Sequence, residues 1–477
     1  MNPIRIGHSR ELFWDDYLVN TSLTSARLRQ HTPRLEELSI ALDQPWEGDG
    51  CGYCNVIQDG DVYRIYYCAG RMDNDDTSEV ELHGRVCCLE STDGITWTRP
   101  ALSLRPFPGH SVNNILLDSS DNDFDNFCVF IDENPACPPA ERYKATATTG
   151  NWRVGRHLWF WYSADGYRWT KGWEMCVPGK FDSLNVAFWS QVHGKYFCFF
   201  RDFHDIPAGC KDNEGIRDIR VSTSDDCRNW SAPRLLDFGS LDDIPLYTNV
   251  AMRYPRAPQM LMGLPTRYVE RKAWTENFDQ LTGAEARKAR MGDQPRHGLA
   301  TTDCVLMTSR DGLHWNRFDE AWMTPGIEQD GNWVYGDCFP TVGCVSTASR
   351  LPGAPEELSF YCHTGHWGGK ATLLWRYTIR TDGLCSYRAD YAPKTLVTKP
   401  LLYEGGQLQL NFSTSARGYI YVTLRCGKEA LRSCELFGDT LCRRVPFDGD
   451  ISAFAVKEIT LEFTMSDADL YAMQFAE

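Results

Sequence analysis

The sequence predicts an all-β protein, a five-bladed β-propeller followed by a C-terminal β-sandwich. Three observations support this prediction: a seven-residue motif that occurs four times, a pair of alternating apolar segments before each copy, and a change of pattern near residue 390. The segments between the copies show no helical pattern. We therefore assign residues 1–389 to the propeller and residues 390–477 to the sandwich.

The repeated motif has the form Ser-x-Asp-Gly-x-x-Trp, with Cys at the Gly position of the third copy. An Asp side chain can accept a hydrogen bond from the backbone two residues on, and Gly readily adopts positive φ, so the motif predicts a tight turn. The Trp would then begin the next strand. The copies are STDGITW at 91–97, SADGYRW at 163–169, SDDCRNW at 224–230 and SRDGLHW at 309–315.

Each motif follows a short apolar strand, and a segment with the pattern of a β-hairpin precedes that strand. Each unit therefore contains four strands, as a propeller blade does. A fifth unit without the motif begins at YGDCFP, and ELFWDDYLVN near the N-terminus is expected to supply the strand that closes the ring. The hairpin segments are YCNVIQDGDVYRIYYCAG, NNILLDSSDNDFDNFCVFID, NVAFWSQVHGKYFCFFR and NVAMRYPRAPQMLMGLPTRY.

After about residue 390 the chain changes to evenly spaced short strands, such as PLLYEGGQLQLNFS, GYIYVTLR and EITLEFTM. These strands lack the turn motif, and their spacing is typical of a β-sandwich.

Composition excludes several classes of function. The formal net charge is −15, without a run of Lys and Arg, which argues against nucleic-acid binding. No stretch of about 18 apolar residues and no signal-like N-terminus are present, so we expect no membrane partner and a cytoplasmic protein, with a secreted form that has lost its signal as the alternative. The 19 cysteines fall largely in strand-like runs, where a thiol acts as a small buried apolar group.

Polar residues gather where the predicted propeller would present them on one face. The starts of the first strands, the ends of the second strands and the starts of the third strands share that face, and Asp337 at the start of the fifth unit belongs to it. Carboxylates beside Arg, His, Asn and Trp suit sugar binding and glycosidic cleavage, which needs one carboxylic acid and one carboxylate. Crowding of carboxylates would raise the pKa of one of them.

From this face we select candidate site residues. Arg71, Arg201 and Arg267 recur at one position in three blades, and their planar guanidinium groups suit a uronate, a sulfate or vicinal hydroxyls, with ion pairing as the alternative. Asp182 could instead cap a strand start, Asp49 could belong to a polar loop, and Glu133 in DENP could belong to a turn. The predicted catalytic residues are Asp182, Asp49 and Glu133; the predicted substrate-binding residues are Asn185, Arg71, Arg201, Asp202, Arg267, His363, His366 and Trp189.

The five-bladed organisation, together with DSLNVAFWSQVHGKYFCFF at 182–200, resembles the glycoside hydrolase superfamily of families 43, 32, 62 and 68, and the layout is most similar to family 32. The resemblance implies that Asp182 matches an inner-strand aspartate and that Asp49 lies near a first-blade aspartate. The chain departs from the family pattern elsewhere. It has no NDPN in the first blade, it has RDF at 201–203 where family 32 has RDP, and it has no glutamate in an EC context, so the resemblance assigns no general acid.

We therefore predict a glycoside hydrolase that acts on the ends of oligosaccharides. The alternative is a non-catalytic carbohydrate-binding propeller, which need not hold two carboxyl groups at the separation that cleavage requires. We expect an oligosaccharide as partner, no cofactor and no metal ion, because His363 and His366 alone are a weak ligand set. A homo-oligomer is compatible with the sequence.

Overall fold

In the computed structural model, five four-stranded antiparallel sheets form the blades of a propeller, which confirms the predicted fold class. The structure describes residues 2–70, 84–122, 124, 126–151, 155–210, 214–292, 294–329, 331–365 and 370–477. The innermost strands of the blades surround a central tunnel. From the innermost strand outward, the blades are Gly52–Asp59, Val62–Ala69, Arg85–Ser91 and Ile115–Asp118 (blade 1); Phe127–Ile131, Tyr143–Asn151, Gly155–Ser163 and Thr170–Glu174 (blade 2); Val186–Ser190, Lys195–His204, Ile216–Ser224 and Arg234–Leu235 (blade 3); Met252–Arg253, Leu261–Gly263, Met307–Ser309 and Trp315–Arg317 (blade 4); Val345–Thr347, Glu357–Thr364, Thr372–Arg380 and Arg34–Leu42 (blade 5).

An N-terminal strand closes the ring, but it is not the predicted one. Arg34–Leu42 pairs with Thr372–Arg380 as the outermost strand of blade 5. The segment ELFWDDYLVN instead lies against the C-terminal sheet, where its first two residues pair with Thr460–Ala476. Its Trp14 is buried in the core of the propeller and its Phe13 in the core of the C-terminal sheet, so the segment fills the space between the two.

The second hairpin segment of the sequence is divided between two blades. Ile115–Asp118 is the outermost strand of blade 1, whereas Phe127–Ile131 is the innermost strand of blade 2. The expected hairpin between these strands is therefore wrong, because alternation along the chain does not identify the partner strand. The true second strand of blade 2 is Tyr143–Asn151, which pairs with Phe127–Ile131.

The repeated motif forms the predicted turn, and in blades 1, 2 and 3 it also joins the blade to the preceding one. In blade 2, Asp165 accepts hydrogen bonds from the backbone N–H groups of Tyr167 and Arg168, both at 2.8 Å. The carbonyl of Gly166 accepts a hydrogen bond from the Tyr66 hydroxyl of blade 1 at 3.1 Å. The Gly94 and Cys227 carbonyls accept hydrogen bonds from Tyr361 of blade 5 and Trp173 of blade 2, respectively. The motif is thus part of the scaffold.

The close approach at Gly166 predicts a large cost for any side chain there. Its φ is +79°, and a Cβ would lie 2.7 Å from the Tyr66 hydroxyl oxygen. We expect Gly166→Ala to lower the free energy of unfolding by roughly 2–3 kcal/mol in urea titrations, from the left-handed backbone and the overpacking together. Gly109→Ala is the control, since Gly109 has a φ of +76° but no atom within 4 Å of a Cβ. Equal losses in the two variants would contradict the packing role.

Blade 4 carries an insertion that the sequence pattern does not predict. Its second and third strands are extended by a separate hairpin, Thr266–Glu270 with Ala300–Cys304. Between these two strands lie three short helices: α1 (Glu276–Gln280), α2 (Ala284–Met291) and α3 (Arg296–Leu299). The expected absence of helices is wrong here because α2 buries only Arg287, so its sequence shows no apolar stripe.

The C-terminal part forms one continuous eight-stranded sheet around its own apolar core, where the sequence predicted a sandwich. N-terminal residues 27–30 also belong to this sheet. None of the helices in the described ranges is long and apolar enough to span a membrane. The sheet consists of Arg27–Gln30, Cys385–Ala389, Thr460–Ala476, Gln407–Cys426, Glu429–Arg432, Glu11–Leu12, Lys394–Val397 and Asp439–Arg444, and Ile4–Gly7 pairs separately with Leu401–Tyr403.

Candidate functional site

The candidate site lies at the end of the tunnel where the innermost strands begin. Asp49 precedes the innermost strand of blade 1, and Asp182 precedes that of blade 3. Asp337 precedes the segment of blade 5 in which Val342 exchanges backbone hydrogen bonds with blade 1. Because these strands run in the same direction around the tunnel, their starts bring the three carboxyl groups to one end.

Asp182 faces two arginines. Its carboxylate oxygens lie 3.4 Å from the Arg201 Nη1 and 3.6 Å from the Arg156 Nη1. The Arg201 side chain is 2% exposed; it donates a hydrogen bond to the Tyr247 carbonyl and stacks 4.4 Å from the centre of the Tyr247 ring. The Asp182 side chain keeps 28% exposure, so solvent or a ligand can reach it.

Three tyrosines continue the site from Asp182 toward blade 5. The Tyr335 hydroxyl donates a hydrogen bond to the Tyr247 hydroxyl, and the Tyr268 ring lies 5.7 Å from the Tyr335 ring. The Arg217 guanidinium lies 4.2 Å from the centre of the Tyr268 ring. Burial raises the pKa of Tyr268 to about 12, so its phenol is a hydrogen-bond donor at neutral pH. These rings and hydroxyls form a surface that suits a sugar.

Asp337 is the buried carboxyl group of the site. Its side chain accepts a hydrogen bond from the Val334 N–H at 2.8 Å, and the residue is 3% exposed. Burial raises the pKa of Asp337 to about 7, although backbone hydrogen bonds and the charges of Arg287 and Arg290 oppose this shift. Arg290 of α2 also interacts electrostatically with Asp49. Asp337 therefore keeps its proton on a large fraction of molecules at neutral pH.

Two histidines near Asp337 are neutral at neutral pH. His297 of α3 stacks on Tyr335 with a centroid distance of 5.9 Å. Burial, with Arg296 and Arg290 nearby, lowers the pKa of His297 to about 4. His363 packs against Phe339, and burial lowers its pKa to about 4 as well. His363 thus lies beneath the site rather than on its surface, since it is only 1% exposed.

We refer to this group of residues as the strand-start cluster. It consists of Asp49, Arg156, Asp182, Arg201, Arg217, Tyr247, Tyr268, Arg287, Arg290, His297, Tyr335 and Asp337.

The structure places Glu133 away from this cluster. Glu133 follows Phe127–Ile131, so it lies where an innermost strand ends, at the opposite mouth of the tunnel. There its carboxylate pairs with the Arg253 Nη2 at 2.6 Å and accepts a hydrogen bond from Gln191 at 3.4 Å. A cavity of about 550 Å³ opens at this mouth. Glu133 therefore cannot act on the same bond as Asp182.

Asn185 and Trp189 lie close to Asp182 in sequence but support the fold. Asn185 is fully buried, and its amide donates hydrogen bonds to the Ser183 carbonyl at 2.9 Å and to Asn126 at 3.1 Å. Trp189 packs edge-on against Tyr196, with a centroid distance of 4.8 Å, in the core between blades 2 and 3. Both side chains thus contribute to packing within and between the blades.

Two further predicted residues form ion pairs. Asp202 alternates with Arg201 along its strand, so its side chain turns away from Asp182 and lies 3.9 Å from Arg220. Arg267 binds Asp303 across the blade 4 hairpin, with an Nη2 to Oδ2 distance of 2.5 Å. Arg71 and His366 lie outside the described residues.

One group of side chains outside the cluster has the spacing of metal ligands. Among the described residues, His204, Asp205 and Asp243 each place one ligand atom within 4.8 Å of the others. Both nitrogens of His204 are already hydrogen-bonded, to Asp218 at 2.9 Å and to Asp243 at 2.6 Å. These hydrogen bonds account for the arrangement.

Comparison with known proteins finds similar folds only. No family model and no curated protein matches the chain. An N-acetylgalactosamine deacetylase from F. plautii, solved with blood group B trisaccharide, is 12% identical with a TM-score of 0.44, over 75% of this chain and 96% of that one. A family 43 arabinoxylan arabinofuranohydrolase from Bacillus subtilis is 9% identical with a TM-score of 0.39, over 92% and 99%. The Bombyx mori family 32 β-fructofuranosidase BmSUC1 is 9% identical with a TM-score of 0.39, over 94% of each chain. Because the scores and identities are low, we draw no function from them.

Proposed function

We propose that this protein is a carbohydrate-active enzyme, a glycoside hydrolase that acts on the ends of oligosaccharides. The observation that carries the proposal is the convergence of Asp49, Asp182 and Asp337 at one end of the tunnel, in different surroundings. Glycosidic cleavage needs a carboxylic acid to protonate the leaving oxygen and a carboxylate to attack the sugar or to activate water. Two carboxyl groups whose environments differ can divide these roles.

The surroundings suggest which residue takes which role. Asp337 is buried, and its raised pKa suits a proton donor near neutral pH. Asp182 remains open to solvent between Arg156 and Arg201, which suits the carboxylate. Asp49 interacts with Arg290 on the side of Asp337 and is the second candidate for the carboxylate.

The insertion in blade 4 supports action on chain ends. Helix α2 brings Arg287 and Arg290 into the cluster, and Arg287 donates a hydrogen bond to the Trp333 carbonyl at 2.6 Å. This helix therefore covers one side of the tunnel end. A covered site accepts the terminal unit of a chain more readily than its middle.

The test is a hydrolysis screen of the purified protein against aryl glycosides and against plant, algal and host oligosaccharides. We expect release of a monosaccharide, and a decrease in kcat of about 10²-fold in Asp182→Asn, because the amide cannot serve as the carboxylate. Released sugars would be measured by anion-exchange chromatography.

Asp225→Asn is the matched control, since Asp225 is an aspartate of the same blade with an 82% exposed side chain. It should keep the activity of the wild type. Hydrolysis by Asp182→Asn within a few-fold of wild type would remove Asp182 from the mechanism. Binding of an oligosaccharide without any hydrolysis would favour the non-catalytic alternative.

A further inference from the structure

Two of the buried arginines in the strand-start cluster, Arg201 and Arg217, lie beside the same aromatic ring. Arg201 is 2% exposed and Arg217 is 7% exposed. Both guanidinium groups face the Tyr247 ring, at 4.4 Å for Arg201 and 6.0 Å for Arg217. Burial and the adjacent charge of Arg201 lower the pKa of Arg217. Two like charges are thus held close together away from bulk water.

Arg217 has aromatic neighbours but no anion within the part of the chain that the structure describes. Its guanidinium lies 4.2 Å from the Tyr268 ring centre and 5.9 Å from that of Phe203. Its Nε is buried without a hydrogen-bond partner, as is the Nε of Arg201. The adjacent carboxylate of Asp218 turns the other way, toward His204 and Arg220.

The three carboxyl groups of the cluster interact with arginines other than Arg217. Asp182 lies between Arg201 and Arg156. Asp49 and Asp337 interact with arginines of α2. Burial of a cation without a counter-charge is costly, and a bound anion offsets that cost. The place beside Arg217 therefore fits an anionic group supplied by a ligand.

We propose that the sugar bound at this site carries one carboxylate group, as a hexuronate does, and that Arg217 together with Arg201 binds it. This inference rests on the proposed function for the identity of the ligand as a sugar. A guanidinium group matches the two oxygens of a carboxylate with parallel hydrogen bonds, and the adjacent tyrosine rings contact the apolar face of the sugar. The net charge of −15 repels a polyanion at long range, so a single anionic unit is the better match.

The test is calorimetric binding of sugar pairs that differ only in one carboxylate: cellobiouronic acid against cellobiose, and galacturonic acid against galactose. We expect wild type to bind one of the acids at least about tenfold more tightly than its neutral partner. In Arg217→Gln the preference should fall to within about twofold, and Arg217→Lys should keep part of it.

Arg317→Gln is the matched control. Arg317 is also buried and lies 4.9 Å from an aromatic ring, that of Phe238, but it pairs with Asp319 outside the cluster. This variant should keep the full preference. Equal binding of acid and neutral sugar by wild type, an unchanged preference in Arg217→Gln, or tighter binding of a 6-sulfated sugar than of the acid would each overturn the proposal.

Binding and hydrolysis separate this inference from the proposed function. Selective binding of the acid without its hydrolysis would support the anion site and contradict the enzyme. Hydrolysis of neutral sugars at the same kcat/KM as acidic sugars would support the enzyme and contradict the anion site.

Discussion

Replacement of Asp337 by Asn should lower kcat by about 10³-fold while the protein stays folded. Asn keeps an oxygen that can accept the hydrogen bond from the Val334 N–H, but it cannot deliver a proton to a leaving oxygen. In wild type, activity should fall as pH rises above about 7, because Asp337 then loses its proton. The activity that remains in Asp337→Asn should not decrease in this way above about pH 7.

The pH dependence of the free energy of unfolding is an independent test of the raised pKa of Asp337. Burial gives Asp337 a pKa of about 7 in the folded state, against an ordinary value of 3.8. The folded state therefore binds the proton more tightly than the unfolded state. This contribution to the free energy of unfolding is fully present below about pH 4, and it is lost as pH rises through about 7. Between pH 5 and pH 8 the loss amounts to roughly 3 kcal/mol.

Asp337→Asn should remove this dependence, so urea titrations at pH 5 and pH 8 should show a smaller difference in the variant than in wild type. Asp225→Asn should behave as wild type in both assays, because its side chain is exposed. Loss of activity that is accompanied by unfolding at both pH values would indicate that Asp337 only supports the turn at Val334. Wild-type activity in the folded variant would exclude a proton-donor role.

The fold could be predicted because its strongest signal is local. The Ser-x-Asp-Gly-x-x-Trp turn is stabilised by contacts within a few residues, such as the hydrogen bonds to Asp165, so four copies indicate four blades directly. The partner of a strand is not encoded locally. For this reason Ile115–Asp118 was assigned to the wrong blade, and with it Glu133 to the wrong end of the tunnel. Arg34–Leu42 was missed as the closing strand because two of its leucines, Leu35 and Leu38, are exposed.

Only those residues of the candidate site that lie just before an innermost strand could be predicted from the sequence. Asp49, Asp182 and Asp337 all stand just before an innermost segment, and the sequence places all three on one face. Arg287 and Arg290 reach the cluster from α2, a helix without an apolar stripe. The charge pattern of GAEARKARM, with Glu285 three residues before Lys288, was the available signal for that helix. The contacts among Tyr247, Tyr268 and Tyr335 depend on tertiary structure, so no local sequence pattern predicts them.

Asp382→Ala should cause the largest loss of stability among these substitutions. The Asp382 side chain is fully buried; its Oδ1 accepts hydrogen bonds from the Tyr254 hydroxyl at 2.7 Å and the Arg256 Nε at 3.0 Å. Its Oδ2 accepts hydrogen bonds from the Arg10 Nη1 at 2.9 Å and the Asn411 amide at 3.1 Å. The carboxylate thus joins blade 4, the N-terminal segment and the C-terminal sheet. Its removal leaves partly buried cations without a counter-charge, so we expect the free energy of unfolding to fall by about 3–5 kcal/mol.

The Asp382→Asn variant removes the negative charge of this side chain but keeps its shape. Asp382 has a φ of +63°, which Asn tolerates better than Ala, and Asn keeps an acceptor for Tyr254 or Arg10. It should therefore lose about half as much stability as the alanine variant in urea titrations. Asp225→Ala, at an exposed position, should stay within about 0.5 kcal/mol of wild type. A loss below about 1 kcal/mol in Asp382→Ala would show that the contact between the propeller and the C-terminal sheet depends on apolar packing around Trp14 and Phe13 rather than on this carboxylate.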